Sequence, residues 1–235
     1  MTNEISNADL LKKLEEINSP DERWTVFSRY DERGARSDSL AEHHADIARF
    51  QLSADVPKEV VILFETAKNV YLYAWYVYRF YPIAEHQALA CLEMGLRKKF
   101  PGGLPTGYPN KAKPNTRPTL APLLRYAIDQ GLIKNEGFSG WHSQVRQRAR
   151  NRVQFEQIES NGQSNSLVQE INLNNIVPNA QDLDYDFVSI LEETLPGIRN
   201  SYAHGSPRLS NQVLGVFELV SEVLAQLYPR AATFA

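Results

Sequence analysis

Near the C-terminus the stretch LPGIRNSYAHGSPRLS, residues 195–210, gathers three side chains able to act on a phosphodiester: Arg199, Asn200 and His204. A guanidinium is a permanent cation that can neutralise charge on phosphorane oxygens, and an imidazole can move a proton near neutral pH. The amide of Asn200 can orient the ring or contact a phosphate oxygen. On an ideal helix Asn200 and His204 lie one turn apart on one face; Arg199 stands about 140° from His204 and converges with it where the helix loosens at its end. His204 falls in the terminal turn, where carbonyl dipoles favour a cation. This chemistry calls for no metal and no cofactor. A structural reading competes with it, in which Arg199 pairs with Glu192 or Asp186 and His204 only satisfies terminal carbonyls. Ser201 and Tyr202 read as bystanders, although Tyr202 is placed to stack on a base.

Charge along the chain points to a polyanion. Residues 97–152 hold twelve Lys or Arg against Asp129 and Glu136, a net +10, and the remainder carries −13 within a total of −3. The split predicts one electropositive surface on an acidic body. Its candidate polyanion-binding residues, RNA-binding under the resemblance named below, are Lys111, Lys113 and Arg117 in the loop, and Arg146, Arg148, Arg150 and Arg152 further on. The alternative is that the basic segment pairs with acidic residues elsewhere in the chain or across an interface.

The elements that must position these groups read as helices. With 235 residues, 43% of them hydrophobic, the chain can bury one substantial core. Three N-terminal segments, SNADLLKKLEEIN, SPDERWTVFSRY and SLAEHHADIARFQ, open with capping signals at Ser6 or Asn7, Ser19 and Ser39. They predict an N-terminal helical extension over residues 1–57, followed by a helical bundle over 58–235. Within the bundle, residues 58–80 are apolar around most of a helix, which suits its middle. Pro82 starts the second arm of an antiparallel hairpin. The proline-rich and glycine-rich stretch 101–118 is a loop, and a long loop in a compact domain is often functional. Helices follow from Thr119, from Gly140 to Glu159, from Asp184 to His204 with Pro196 inside, and from Ser206–Pro207 onward. The polar excursion over 161–182 leaves open a short strand pair. The fold class is all-α.

Other site chemistries are excluded. Gly102 and Gly107 have P-loop spacing, but Tyr108 stands where lysine is required. His43 and His44 are adjacent and so diverge on a helix, which makes them partly exposed structural residues. Cys91 is the single cysteine, a small core residue rather than an activated thiol, and it allows no internal disulfide or multi-cysteine metal site. The N-terminus has no signal-like region and no apolar run is long enough to span a bilayer, so the expectation is a cytoplasmic protein without a membrane partner.

The spacing Arg199-Asn200-x-x-x-His204, near the end of the penultimate helix of an all-α chain, resembles the Arg-x(4 to 6)-His motif of the HEPN superfamily (higher eukaryotes and prokaryotes nucleotide-binding). The stretch AEHQALACLEMGLRKKF, with Glu93 and Arg97, is similar to that superfamily's early helices. Arg36 to His43 and Arg79 to His86 also fit the spacing, but only Arg199 is followed by asparagine at the right place in the helix order. Ser206 stands where one toxin subgroup carries tyrosine. Over residues 58–228 the resemblance implies a HEPN-like bundle and a homodimer whose two motifs meet at a shared cleft. It also implies a metal-independent endoribonuclease that cleaves RNA by 2′-OH attack. The settings it implies are toxin–antitoxin systems, with an antitoxin protein as partner, phage defence or RNA processing. The alternative is a non-catalytic HEPN-like module that binds a nucleotide, RNA or a protein partner.

Overall fold

Ser39 begins the first regular helix as its sequence suggests: its hydroxyl accepts the Glu42 N–H (3.3 Å) and donates to the Glu42 carboxylate (2.7 Å). In the computed structural model, which describes residues 5–32, 34–108, 117–162, 176–204 and 209–230, helices dominate. They are α1 (Leu40–Ala48), α2 (Lys58–Tyr73), α3 (Phe80–Lys99), α4 (Leu120–Asp129), α5 (Ser139–Gly162), the single turn α6 (Ala180–Leu183), α7 (Phe187–Ala203) and α8 (Leu214–Leu227). The sheet among the described residues is one antiparallel hairpin, β1 (Ser28–Asp31) with β2 (Gly34–Ser37), Ser28 facing Ser37 and Asp31 facing Gly34. No helix among the described residues is long and apolar enough to cross a membrane.

The hydrophobic centre is α3. It contacts α2, α4, α7 and α8 and buries Ala84, Ala88, Leu89, Leu92, Gly95 and Leu96. The helix that fills the middle is therefore α3, whereas α2 keeps Ile62 and Tyr73 more than half exposed. Small residues explain the difference, because alanine and glycine let neighbouring helices approach from several sides. At Gly95 a Cβ would fall 2.4 Å from Leu224 Cδ2 of α8. Cys91 lies fully buried in this helix, its thiol donating to the Val60 carbonyl (3.3 Å) and pushed up to about 12 by burial.

The N-terminal region departs from three helices. Residues 7–9, 14–16 and 22–26 form short 3-10 turns, and residues 28–37 form the hairpin. The first apolar stripe, expected as one face of a helix, stays largely exposed: Leu10 is 53%, Leu14 83% and Ile17 55% exposed. Its polar residues instead tie down the chain, with Lys12 donating to the Glu16 carbonyl (3.1 Å) and Asp9 receiving Arg79 (2.6 and 2.7 Å) and Arg23. Asp21, not Ser19, caps the third turn; it accepts the Arg23 N–H (3.1 Å) and the Tyr78 N–H (2.9 Å). The segment Ser28–Asp31 after it pairs as a strand with Gly34–Ser37, and Gly34 takes φ +106°. Trp24, Ile47, Phe50 and Val56 then join the same core as α2, α3 and α8.

The later helices follow the sequence signals with shifted ends. Thr119 precedes α4, α5 ends at Gly162, and α7 runs through Pro196 to Ala203. The last helix begins at Leu214 instead of Pro207, since residues 209–213 are not helical. Ser206, Pro207 and most of the polar excursion lie outside the described residues.

Candidate functional site

The C-terminal half of α7 packs antiparallel on α3, and the motif sits at that contact. Val188, Leu191 and Leu195 bury one face of α7 and fix its rotation. Arg199, two helical steps beyond Leu191, is thereby turned toward α3, and its Nε lies 3.2 Å from Glu93 Oε2. The contact is ionic rather than a directed hydrogen bond, since neither buried atom has a hydrogen-bond partner. Glu93 is 3% exposed and also pairs with Arg97. Arg97 in turn donates from Nε to the Pro118 carbonyl (3.0 Å), which brings Arg117, exposed at the entrance to α4, beside the cluster.

Arg199 Nη1 donates to Asn200 Oδ1 (3.4 Å), so two of the three motif residues touch. Asn200 and His204 are exposed. His204 is the C-cap of α7, its N–H donating to the Asn200 carbonyl (3.1 Å). The expected partners of Arg199 are engaged elsewhere: Glu192 pairs with Arg125 (3.2 Å), and Asp186 caps α7 through the Ser189 N–H (3.2 Å).

Tyr202 is more than a bystander. It is three residues past Arg199 on the same face, and its hydroxyl donates to the buried carboxylate of Glu85 on α3 (2.5 Å). Beside Glu85 stands His86, half-buried, whose ring burial and the Arg199 charge push toward the neutral form against the opposing pull of Glu93. Glu85 was not singled out by sequence reasoning, His86 only as the end of the Arg79-to-His86 spacing, and Glu93 and Arg97 only through the resemblance. A usable signal existed: carboxylates inside the otherwise apolar helix 84–96 need a cation or donor from another element.

The basic residues divide. Lys111 and Lys113 lie outside the described residues. On α5, Arg152 pairs with Asp182 (2.9 Å) and Glu156 (3.3 Å), while Arg148 donates to the Gln181 carbonyl (3.0 Å). Arg146 reaches only Ser143 (3.3 Å), and neither it nor Arg150 has an ion pair among the described residues. The partners of Arg148 and Arg152 precede α7, whose length from Phe187 to Arg199 is about 18 Å, so the α5 arginines and the motif lie at opposite ends of α7 within one chain. Lys98 pairs with Glu59 (3.2 Å) and Lys99 lies over the Tyr228 ring, so part of the basic segment is neutralised internally.

In the two other Arg-to-His spacings both arginines are held in ion pairs away from the motif. Arg36 pairs with Glu42, and His43 is buried, its ring stacked on Tyr71 and bonded to the Tyr71 carbonyl (2.9 Å). Arg79 is held by Asp9. An apolar cavity of about 1140 Å³ lies between the N-terminal segment, α1 and α2, lined by residues including Leu10, Ile17, Leu40, Leu72 and Phe80; it holds none of the motif residues. Comparison with protein-family models, with curated proteins and with solved structures gives no match to this chain.

Proposed function

We propose that the protein is a HEPN-like, metal-independent endoribonuclease, working as a cytoplasmic homodimer in which two copies of Arg199, Asn200 and His204 face a shared cleft. The observation that carries this reading is the placement of Arg199. Its guanidinium is anchored through Nε by a buried carboxylate and touches Asn200, while His204 stands exposed at the end of the same helix. A fixed cation and an exposed imidazole on one helix end suit in-line attack of a ribose 2′-OH on the adjacent phosphorus. The O2′–P bond forms, the P–O5′ bond breaks, and the products are a 2′,3′-cyclic phosphate and a 5′-OH. Arg199 stabilises the phosphorane charge, His204 moves a proton, and Asn200 orients the phosphate or the ring. Arg117 holds the RNA backbone near the cluster, Arg146 and Arg150 extend that hold along α5, and the charges of Lys111 and Lys113 add to the attraction for RNA. Toxin–antitoxin function with a protein antitoxin, or phage defence, is the setting this activity fits.

The Arg199–Glu93 pair favours one alternative, a non-catalytic module in which Arg199 supports the α3–α7 contact and the exposed residues only bind nucleotide, RNA or a protein. Purified protein incubated with mixed single-stranded RNA in excess EDTA separates the two. The nuclease reading expects cyclic phosphate ends from wild type and no cleavage from Arg199→Ala or His204→Ala. A folded, dimeric wild type without cleavage rejects it.

A further inference from the structure

We propose that His86 of α3 is a second proton-transfer residue of this site, acting as the base toward the 2′-OH while His204 acts as the acid toward the leaving oxygen. The inference rests on the ribonuclease reading and adds to it a group from a different helix.

His86 and Glu93 are seven residues apart, two turns of helix, and so share one stripe of α3, with Arg97 a further turn along. Antiparallel α7 runs down that stripe: Arg199 meets Glu93, and Tyr202, three residues later, meets Glu85. On the Glu93 stripe and toward the end of α7 that His204 caps, His86 lies close enough to the Arg199 guanidinium to feel its charge. The charged and titratable groups around it are Arg199 and Tyr202 from α7, and Glu85 and Glu93 from its own helix.

Its ring is also available. The buried His43 ring binds the Tyr71 carbonyl, and the His142 ring binds the Glu136 carbonyl (2.9 Å). Among the described residues the His86 ring has no hydrogen-bond partner, although it is half-buried. A half-buried imidazole kept neutral by burial and a neighbouring guanidinium is suited to accept a proton at neutral pH. In the balanced step His86 takes the 2′-OH proton as O2′ attacks phosphorus, the P–O5′ bond breaks, and His204 gives its proton to O5′. Arg199 neutralises the charge on the phosphorane oxygens.

The test uses imidazole NMR of the full chain, whose five histidines are few enough to assign by His86→Gln. Uridine 3′-phosphate serves as the probe. The expected result is a His86 midpoint below about 6.5 in free protein, raised by Arg199→Gln and raised again by the nucleotide, with His43 and His142 unmoved. In cleavage assays His86→Gln lowers the rate about 100-fold or more and removes the acidic limb of the pH profile, with nucleotide affinity kept. Nucleotide binding that depends on Arg199 but leaves the His86 resonances and the pH profile unchanged overturns this inference and spares the ribonuclease reading. Failure of the nucleotide to bind wild type overturns both.

Discussion

Glu93 decides how far the motif is a site and how far a structural joint. A carboxylate with 4% of its side chain exposed is tolerated because two guanidinium groups, from Arg97 and Arg199, neutralise it. Both arginines are partly solvated, which moderates the loss when the charge is removed. Glu93→Gln keeps the side-chain shape and is expected to cost about 1–2 kcal/mol of unfolding free energy, read from urea midpoints. Adding Arg199→Gln to it should cost less than the two single changes together, since each leaves the other group unpaired. Equal additivity would mean that the pair contributes nothing to the α3–α7 contact. The motif itself was legible because Arg199, Asn200 and His204 are close in sequence. Glu93, Glu85 and His86 lie on another helix, and only the antiparallel packing of α7 on α3 brings them alongside.

At the level of elements, most helices were legible wherever an apolar stripe has something to cover. Helices α2, α3, α4, α5 and α7 stand close to the expected positions, because their periodic residues meet in one core. The segment with Leu10, Leu14 and Ile17 has equal periodicity, yet these side chains are exposed and no α-helix forms. Periodicity reports only the wish to bury a face; tertiary contact decides whether it is granted. The central place of α3 was hidden for a related reason, since Ala84, Ala88 and Gly95 look weakly hydrophobic yet permit the closest approach. Gly95→Ala tests that approach. The added methyl meets Leu224 Cδ2 at 2.4 Å in a fully buried contact, so thermal unfolding should show a loss of about 1–3 kcal/mol despite alanine's better helix propensity. Leu224→Val in the same background makes room and should recover part of it. A Gly95→Ala protein as stable as wild type would mean that α8 shifts freely, and that α3 is not closely clasped.

Across the whole molecule, the N-terminal residues and the bundle share a titratable core, and this sets how the fold responds to acid. His43 sits among Trp24, Tyr71, Trp75 and Tyr81, and burial pushes its ring below the ordinary histidine range despite the pull of Asp38 and Asp46. The folded protein thus holds His43 neutral, whereas the unfolded chain takes up a proton as pH falls through about 6.5. Protons bound only by the unfolded state lower stability on acidification, by at most about 1.4 kcal/mol per pH unit for one group, until the folded ring titrates as well. His86, shifted the same way, adds to the slope. Asp9 and Glu42, each held down to about 2 by arginine partners, act in the same direction in a separate, lower window beginning below pH 5. Urea midpoints taken from pH 7.5 to pH 5 should therefore fall for the wild type well before the carboxylates protonate. In His43→Gln, which keeps a donor for the Tyr71 carbonyl, the fall should shrink to the share that His86 contributes. An undiminished slope in that variant would place the acid sensitivity outside the aromatic cage that joins α1 to α2 and α3.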